Sequence, residues 1–262
     1  MQIQMKYSSF KIREIVGHAV SGTWSIPEFK RGFIWKPAHV RDFAEALWLN
    51  YPVGSMLIWD GAMQKRPIHP KNVNDAKSAP LWLVDGQQRT TALCILAGRE
   101  PRWWSADQNW KDIIRRYEIR FDIGARKPPF FVQATAAILK NKTNQYIAVQ
   151  KLLDLDLNND NDKMALSVIA KEVKANGLCR GMAATGVKTR LKRVSRICEH
   201  EIVGIISDHN LKQLAEISAL LNSKQTPVSN ADMAAASLIL KRCRNNPSHS
   251  EAASIKRPQD RT

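Results

Sequence analysis

Five consecutive residues, Asp85-Gly86-Gln87-Gln88-Arg89, bring together a carboxylate, a glycine, two amides and a guanidinium. They follow the apolar run Leu81-Trp82-Leu83-Val84 and precede a helical stretch from Gln87 to Ala97, so they fall at a strand-to-helix turn. Gly86 lets the backbone turn sharply and lets a ligand approach closely. The leading N–H groups of the helix form a ready site for a phosphate. Arg89 can grip a phosphate with its planar fork, and Gln87 and Gln88 offer amides to a sugar, a base edge or a water. Asp85 can hold a metal ion or orient a water. Together these residues can bind a nucleotide and hydrolyse it, with Asp85, Gln87, Gln88 and Arg89 as catalytic candidates and Gly86 and Thr90 as nucleotide contacts. The plain alternative is that Asp85 caps the helix and the next three side chains are its solvated first turn.

The surrounding elements are expected to be both strands and helices. Ser8 or Ser9 is read as the cap of a helix running to about Ala19 and ended by Gly22. Residues 26–37 hold prolines, a glycine and aromatics, which predicts an extended, ordered loop. Pro37 opens a helix whose apolar stripe is Val40, Phe43, Ala44, Leu47 and Trp48. Strands are expected over Ser55–Asp60, Leu81–Val84, Tyr117–Asp122 and Phe130–Val132, with residues 61–79 as a loop. Beyond Asn141 the pattern is mainly helical. Leu166, Ile169, Ala170 and Val173 form one stripe, a helix covers Val187–Cys198, a strand Ile202–Ile206, and helices Leu211–Leu221 and Met233–Leu240. The Asp154–Asp162 stretch reads as a turn, because it lacks the Gly and final Glu of a calcium loop.

Charge narrows the partners. Forty Lys and Arg against 24 Asp and Glu leave a net charge of +16, which favours a polyanion, nucleic acid first among them. Two clusters are candidates for contact. Arg31, Trp35 and Lys36 can stack a base and hold a phosphate of the nucleotide, or else the loop's aromatics simply pin it to the core. Lys188, Arg190, Lys192, Arg193 and Arg196 crowd one helix and can track a nucleic-acid backbone, or form an ordinary solvated face. Trp103, Trp104 and Trp110 are expected at the core edge. The four cysteines show no metal-site spacing, and Cys94 is expected as a small core residue. No metal-ligand set is read. A reduced cytoplasmic setting is expected, since no run nears the roughly 18 apolar residues of a membrane span and Met1–Tyr7 carries no signal-peptide core.

Val84 to Thr91 resembles the signature of the N-terminal domain of GmrSD-type, modification-dependent restriction systems. The resemblance extends to Ile26–Arg31 with Trp35, to Tyr51–Ser55 with Trp59, and to Leu221–Ser229 with Asp232, in the family's order over roughly residues 8–240. It implies an α/β (α+β) fold of the ParB/sulfiredoxin-like kind, a small mixed sheet with helices. Residues 1–140 are expected to form this nucleotide-binding domain, 141–242 a mainly helical extension of the same unit, and 243–262 a disordered basic tail. It further implies that Asp85 to Arg89 serve binding and hydrolysis of a nucleoside triphosphate, in defence against foreign or modified DNA. Mg2+ is the companion ion expected of the Asp85 carboxylate. The chain departs from the family at Lys30, where Gln is usual, and at Gln225, where Gly is usual. Nothing after residue 240 reads as a nuclease domain, so no nuclease activity is expected of this chain alone, and a separate nuclease subunit or domain is the expected partner. The alternatives are a non-enzymatic DNA-binding module and a truncated, inactive fragment.

Overall fold

The computed structural model describes residues 5–27, 32–60, 81–141, 145–175 and 183–207, together with Gln213, Glu216 and Ile217. The chain opens with a strand, β1 (Met5–Lys11), followed at once by helix α1 (Ile12–Ser21). Ser8 and Ser9 therefore lie in a strand and do not cap the helix as expected. The reason is a partner far along the chain: β1 pairs antiparallel with β8 (Glu201–Ser207) from Met5↔Ser207 to Lys11↔Glu201, and such tertiary pairing overrides local capping preference. The helix start is served instead by Glu14, whose Oε2 accepts the Lys11 backbone N–H at 2.9 Å. Gly22, at φ +81°, ends α1 as anticipated.

The following elements are β2 (Trp24–Ser25), α2 (Pro37–Trp48), β3 (Met56–Asp60), β4 (Leu81–Asp85), α3 (Gln87–Ala97) and α4 (Trp110–Arg116). After them come β5 (Ile119–Asp122), β6 (Phe131–Gln133), α5 (Ala136–Leu139), β7 (Tyr146–Ala148), α6 (Val149–Leu153), α7 (Asp160–Ala175) and α8 (Ala184–Ser195), with a 3-10 turn Arg196–Glu199 before β8. The larger sheet has the order β1-β8-β3-β4-β2, and the smaller one β6-β5-β7. The fold is thus mixed α+β with two small sheets, the class read from the sequence. Strands from beyond residue 141 enter both sheets: β7 pairs with β5, and β8 lies between β1 and β3.

The main core lies on one face of the larger sheet, where α3 packs on α1, α2 and α6. Thr90 through Leu96 of α3 are all buried, as for a helix enclosed on every side. The predicted stripe of α2 is buried in full, Val40, Phe43, Ala44, Leu47 and Trp48, each large side chain contributing roughly 1.5–3 kcal/mol. Trp48 carries α2 onto the smaller sheet, with its ring 5.0 Å from Phe121 and 5.8 Å from Phe130. On the opposite face of the larger sheet Leu57, Trp59, Trp82 and Val84 form a second cluster, joined by Ile205 and Ile217. Strands β3 and β4 are therefore apolar on both faces, which is why they read as unbroken apolar runs. Trp103 and Trp110 are buried and Trp104 is partly buried, as expected. Among the described residues no helix is long and apolar enough to cross a membrane. The expected loop 61–79, the helices after residue 210 and the tail lie outside the described residues.

Candidate functional site

The turn from β4 into α3 is made by Gly86, at φ +99° and ψ 1°. A Cβ there would sit 2.9 Å from Cγ of Met56, so the position excludes any larger residue by both conformation and space. Gly86, not Asp85, is the N-cap, and no side chain caps the helix. The first internal bond of α3 runs from Thr90 N–H to Gly86 O at 2.9 Å, so the amides of Gln87, Gln88 and Arg89 precede it at the positive end of the helix.

Each side chain of the motif then takes a different course. The Asp85 carboxylate is 29% exposed and pairs with Arg89 at 3.1 Å. Arg89 Nη1 donates to Val53 O at 2.7 Å, and Nη2 donates to Ser55 O at 2.6 Å. Burial pushes the Arg89 guanidinium below its ordinary pKa while Asp85 pulls it upward. Gln88 Oε1 accepts the N–H of Ile34 at 2.9 Å and of Trp35 at 3.4 Å, and its Nε2 donates to Gly32 O at 3.0 Å. The turn is therefore not a solvated one: its side chains bind two loops.

Two motif residues expected at a ligand face inward. Gln87 is only 8% exposed, so its amide lies inside the fold. Thr90 is fully buried, with Oγ1 3.9 Å from the Met56 sulfur. Both follow from the enclosure of α3, whose first turn already touches β3.

The loop 32–36 lies against the motif, held there by Gln88. Trp35 is partly buried against Phe43, ring centroids 5.4 Å apart, and its carbonyl accepts the Tyr117 hydroxyl at 2.8 Å. Phe33 packs toward Tyr117 at 5.5 Å. These aromatics pin the loop, and Lys36 is left exposed beside it. Arg31 lies outside the described residues.

The basic helix divides. Lys188, Lys192 and Arg196 are exposed and recur every four residues. Arg190 instead turns inward over Phe121 and Phe130, 5.5 and 5.6 Å from their centroids. Arg193 lies over Trp48 while staying exposed. Both guanidiniums thus pack on aromatic rings as well as lying on the basic helix. Among the described residues no three His, Cys, Asp or Glu gather as a metal site. Cys94 is buried as expected, its thiol pushed up to about 12 by burial, and Cys198 is pushed to about 11.

Sequence reasoning missed Gly54 and the carbonyls of Val53 and Ser55 as parts of the site. Gly54 has φ +82°, and a Cβ there would overlap Arg89 Nη1. The glycine is visible in the sequence, but its place after Pro52 suggests only the end of a helix. Tyr117, whose hydroxyl supports the loop, carries no signal beyond a strand pattern.

No curated protein matches the chain at a significant level. Residues 12–239 match the family model described as the GmrSD restriction endonuclease, N-terminal domain. Spanning most of the chain, that match places it in a family: the protein belongs to the N-terminal domains of GmrSD restriction endonucleases.

Proposed function

We propose that this chain is the nucleoside triphosphate-binding and hydrolysing domain of a cytoplasmic restriction-type defence system directed at DNA. The observation that carries the reading is the partly exposed Asp85 carboxylate at the positive end of α3, flanked by two loops that bind the same helical turn. The α3 amides and the exposed Lys36 supply anion recognition. Asp85 supplies a carboxylate to orient the attacking water. A lone carboxylate suits Mg2+, which takes one or two carboxylates together with substrate phosphates; Asp85 would hold it, and the ion would neutralise charge on the phosphates. Cleavage of DNA falls to a separate nuclease subunit or domain.

A second reading has support of its own. The exposed stripe Lys188, Lys192 and Arg196 runs along α8 to its C-cap, on a helix with no acidic residue, which suits a non-enzymatic module that holds duplex phosphates. Triphosphate turnover, measured with and without duplex DNA, separates the two. Turnover by the purified chain supports the first, and salt-sensitive DNA binding without turnover supports the second.

A further inference from the structure

Neighbouring residues of one helical turn commit their side chains to the backbones of two separate loops. Gln88 makes its three bonds to Gly32, Ile34 and Trp35. Arg89 forks across the carbonyls of Val53 and Ser55 and closes on Asp85. Gly54 stands between those two carbonyls in a left-handed conformation, and its missing side chain leaves the space that the guanidinium fills. A planar fork with fixed donor directions suits two carbonyls two residues apart, whereas an ammonium would reach only one well. Arg89 is only 18% exposed, and its principal contacts are neutral oxygens of its own chain. A guanidinium held in that way is poorly placed to turn toward a phosphate.

We propose that Gln88 and Arg89 are positioning residues, and that the nucleotide is contacted by what they hold in place. Gln88 fixes the Gly32–Lys36 loop and so the exposed Lys36; Arg89 fixes the Val53–Ser55 loop against Asp85 and holds that carboxylate in one orientation. The binding consequences rest on the nucleotide reading above, but the clamping itself does not.

Two measurements test it on the full chain. The first is hydrogen exchange without nucleotide. Arg89→Ala, Arg89→Lys and Gly54→Ala should each speed exchange in peptides covering 51–56, and Gln88→Ala should speed it in peptides covering 32–36. Exchange in α1 and β8 should stay slow, which reports an intact fold. Unchanged loop exchange in these variants would overturn the proposal whether or not any nucleotide binds. The second is calorimetry with a non-hydrolysable adenosine or guanosine triphosphate analogue. Arg89→Lys and Arg89→Ala should lose affinity alike, by about ten- to a hundredfold, the range for a charged hydrogen bond. Gly54→Ala should show a similar loss although every charge is retained. If Arg89→Lys binds within about threefold of the unmodified chain while Arg89→Ala does not, Arg89 is a phosphate ligand and the proposal fails. If the unmodified chain binds neither analogue, the nucleotide reading fails, and the exchange result alone decides the clamps.

Discussion

Arg193 lies over Trp48, its guanidinium carbon 4.3 Å from the ring centroid, while its Nη2 donates to the Trp48 carbonyl at 2.7 Å. One side chain thus joins α8 to the end of α2, where the smaller sheet also packs. Arg193→Ala should cost about 1–2 kcal/mol, combining a cation–π contact with a hydrogen bond. Lys192→Ala, on the exposed face next to it, should stay within about 0.5 kcal/mol. Urea unfolding of both variants checks this, and equal stabilities would mean that Arg193 is a surface charge.

Asp85→Asn should reduce triphosphate turnover more than nucleotide affinity. Asn keeps the size of Asp but loses the charge that a metal or an attacking water needs. Gly86 makes the turn and caps the helix, so the change should leave α3 intact. Steady-state turnover beside calorimetry is the measurement, and equal turnover in both proteins would reduce Asp85 to a partner of Arg89.

Replacing Lys188, Lys192 and Arg196 together by Ala should lower the salt dependence of duplex binding. The log–log slope should fall by about 0.9 for every phosphate that the variant no longer neutralises. The paired change of Arg190 and Arg193 should alter stability rather than slope, since both pack on aromatic rings. A duplex titration at several salt concentrations decides, and an unchanged slope in the triple variant removes α8 from the DNA surface. Binding should be largely indifferent to base sequence, because phosphate contacts carry none.

His18 should make stability fall on mild acidification. It stacks on Trp24 with ring centroids 4.9 Å apart, and burial pushes its pKa below the ordinary 6.5, with Glu14 pulling weakly the other way. The unfolded chain therefore takes up the proton at higher pH than the folded one, and stability drops as pH falls from about 6.5 through the folded pKa. His18→Phe should flatten thermal unfolding across that window. A profile identical to the unmodified chain would assign the dependence to other groups.

Cys94 and Cys198 should resist alkylation at pH 8 until the chain unfolds. Their thiols are buried and pushed to about 12 and about 11, so almost no thiolate forms. Mass-spectrometric mapping of modified cysteines reads this directly, and rapid native labelling of Cys94 would show that α3 opens.

Elements governed by local spacing were legible in the sequence. The α2 stripe, the β4–Gly86–α3 turn and the Gly22 helix end depend on residues close in the chain, and all stand where their patterns put them. What depended on distant partners was not legible. Ser8 and Ser9 look like helix caps until β8 arrives to pair with them. Likewise Tyr146–Ala148 is too short to announce a strand without β5 beside it. At the site the motif itself was plain, but the direction of its side chains was not. Gln87 and Thr90 point inward because α3 is enclosed on all sides, and nothing in their spacing reveals that enclosure. Arg190 and Arg193 share the composition of Lys188 and Lys192, and only the rings beneath them tell the two sets apart.

The strand order β1-β8-β3-β4-β2 has a consequence for the birth of the molecule. β3 carries Met56, which touches the first turn of α3, and its parallel neighbour is β8, made from residues 201–207. During synthesis on a ribosome, β1 and β3 wait without a neighbour between them until residues 201–207 emerge. Two strand edges thus stay open over that interval, a state that invites pairing with other nascent chains. The sheet that carries the Asp85 turn is thus completed only when a distant stretch of chain slots between β1 and β3.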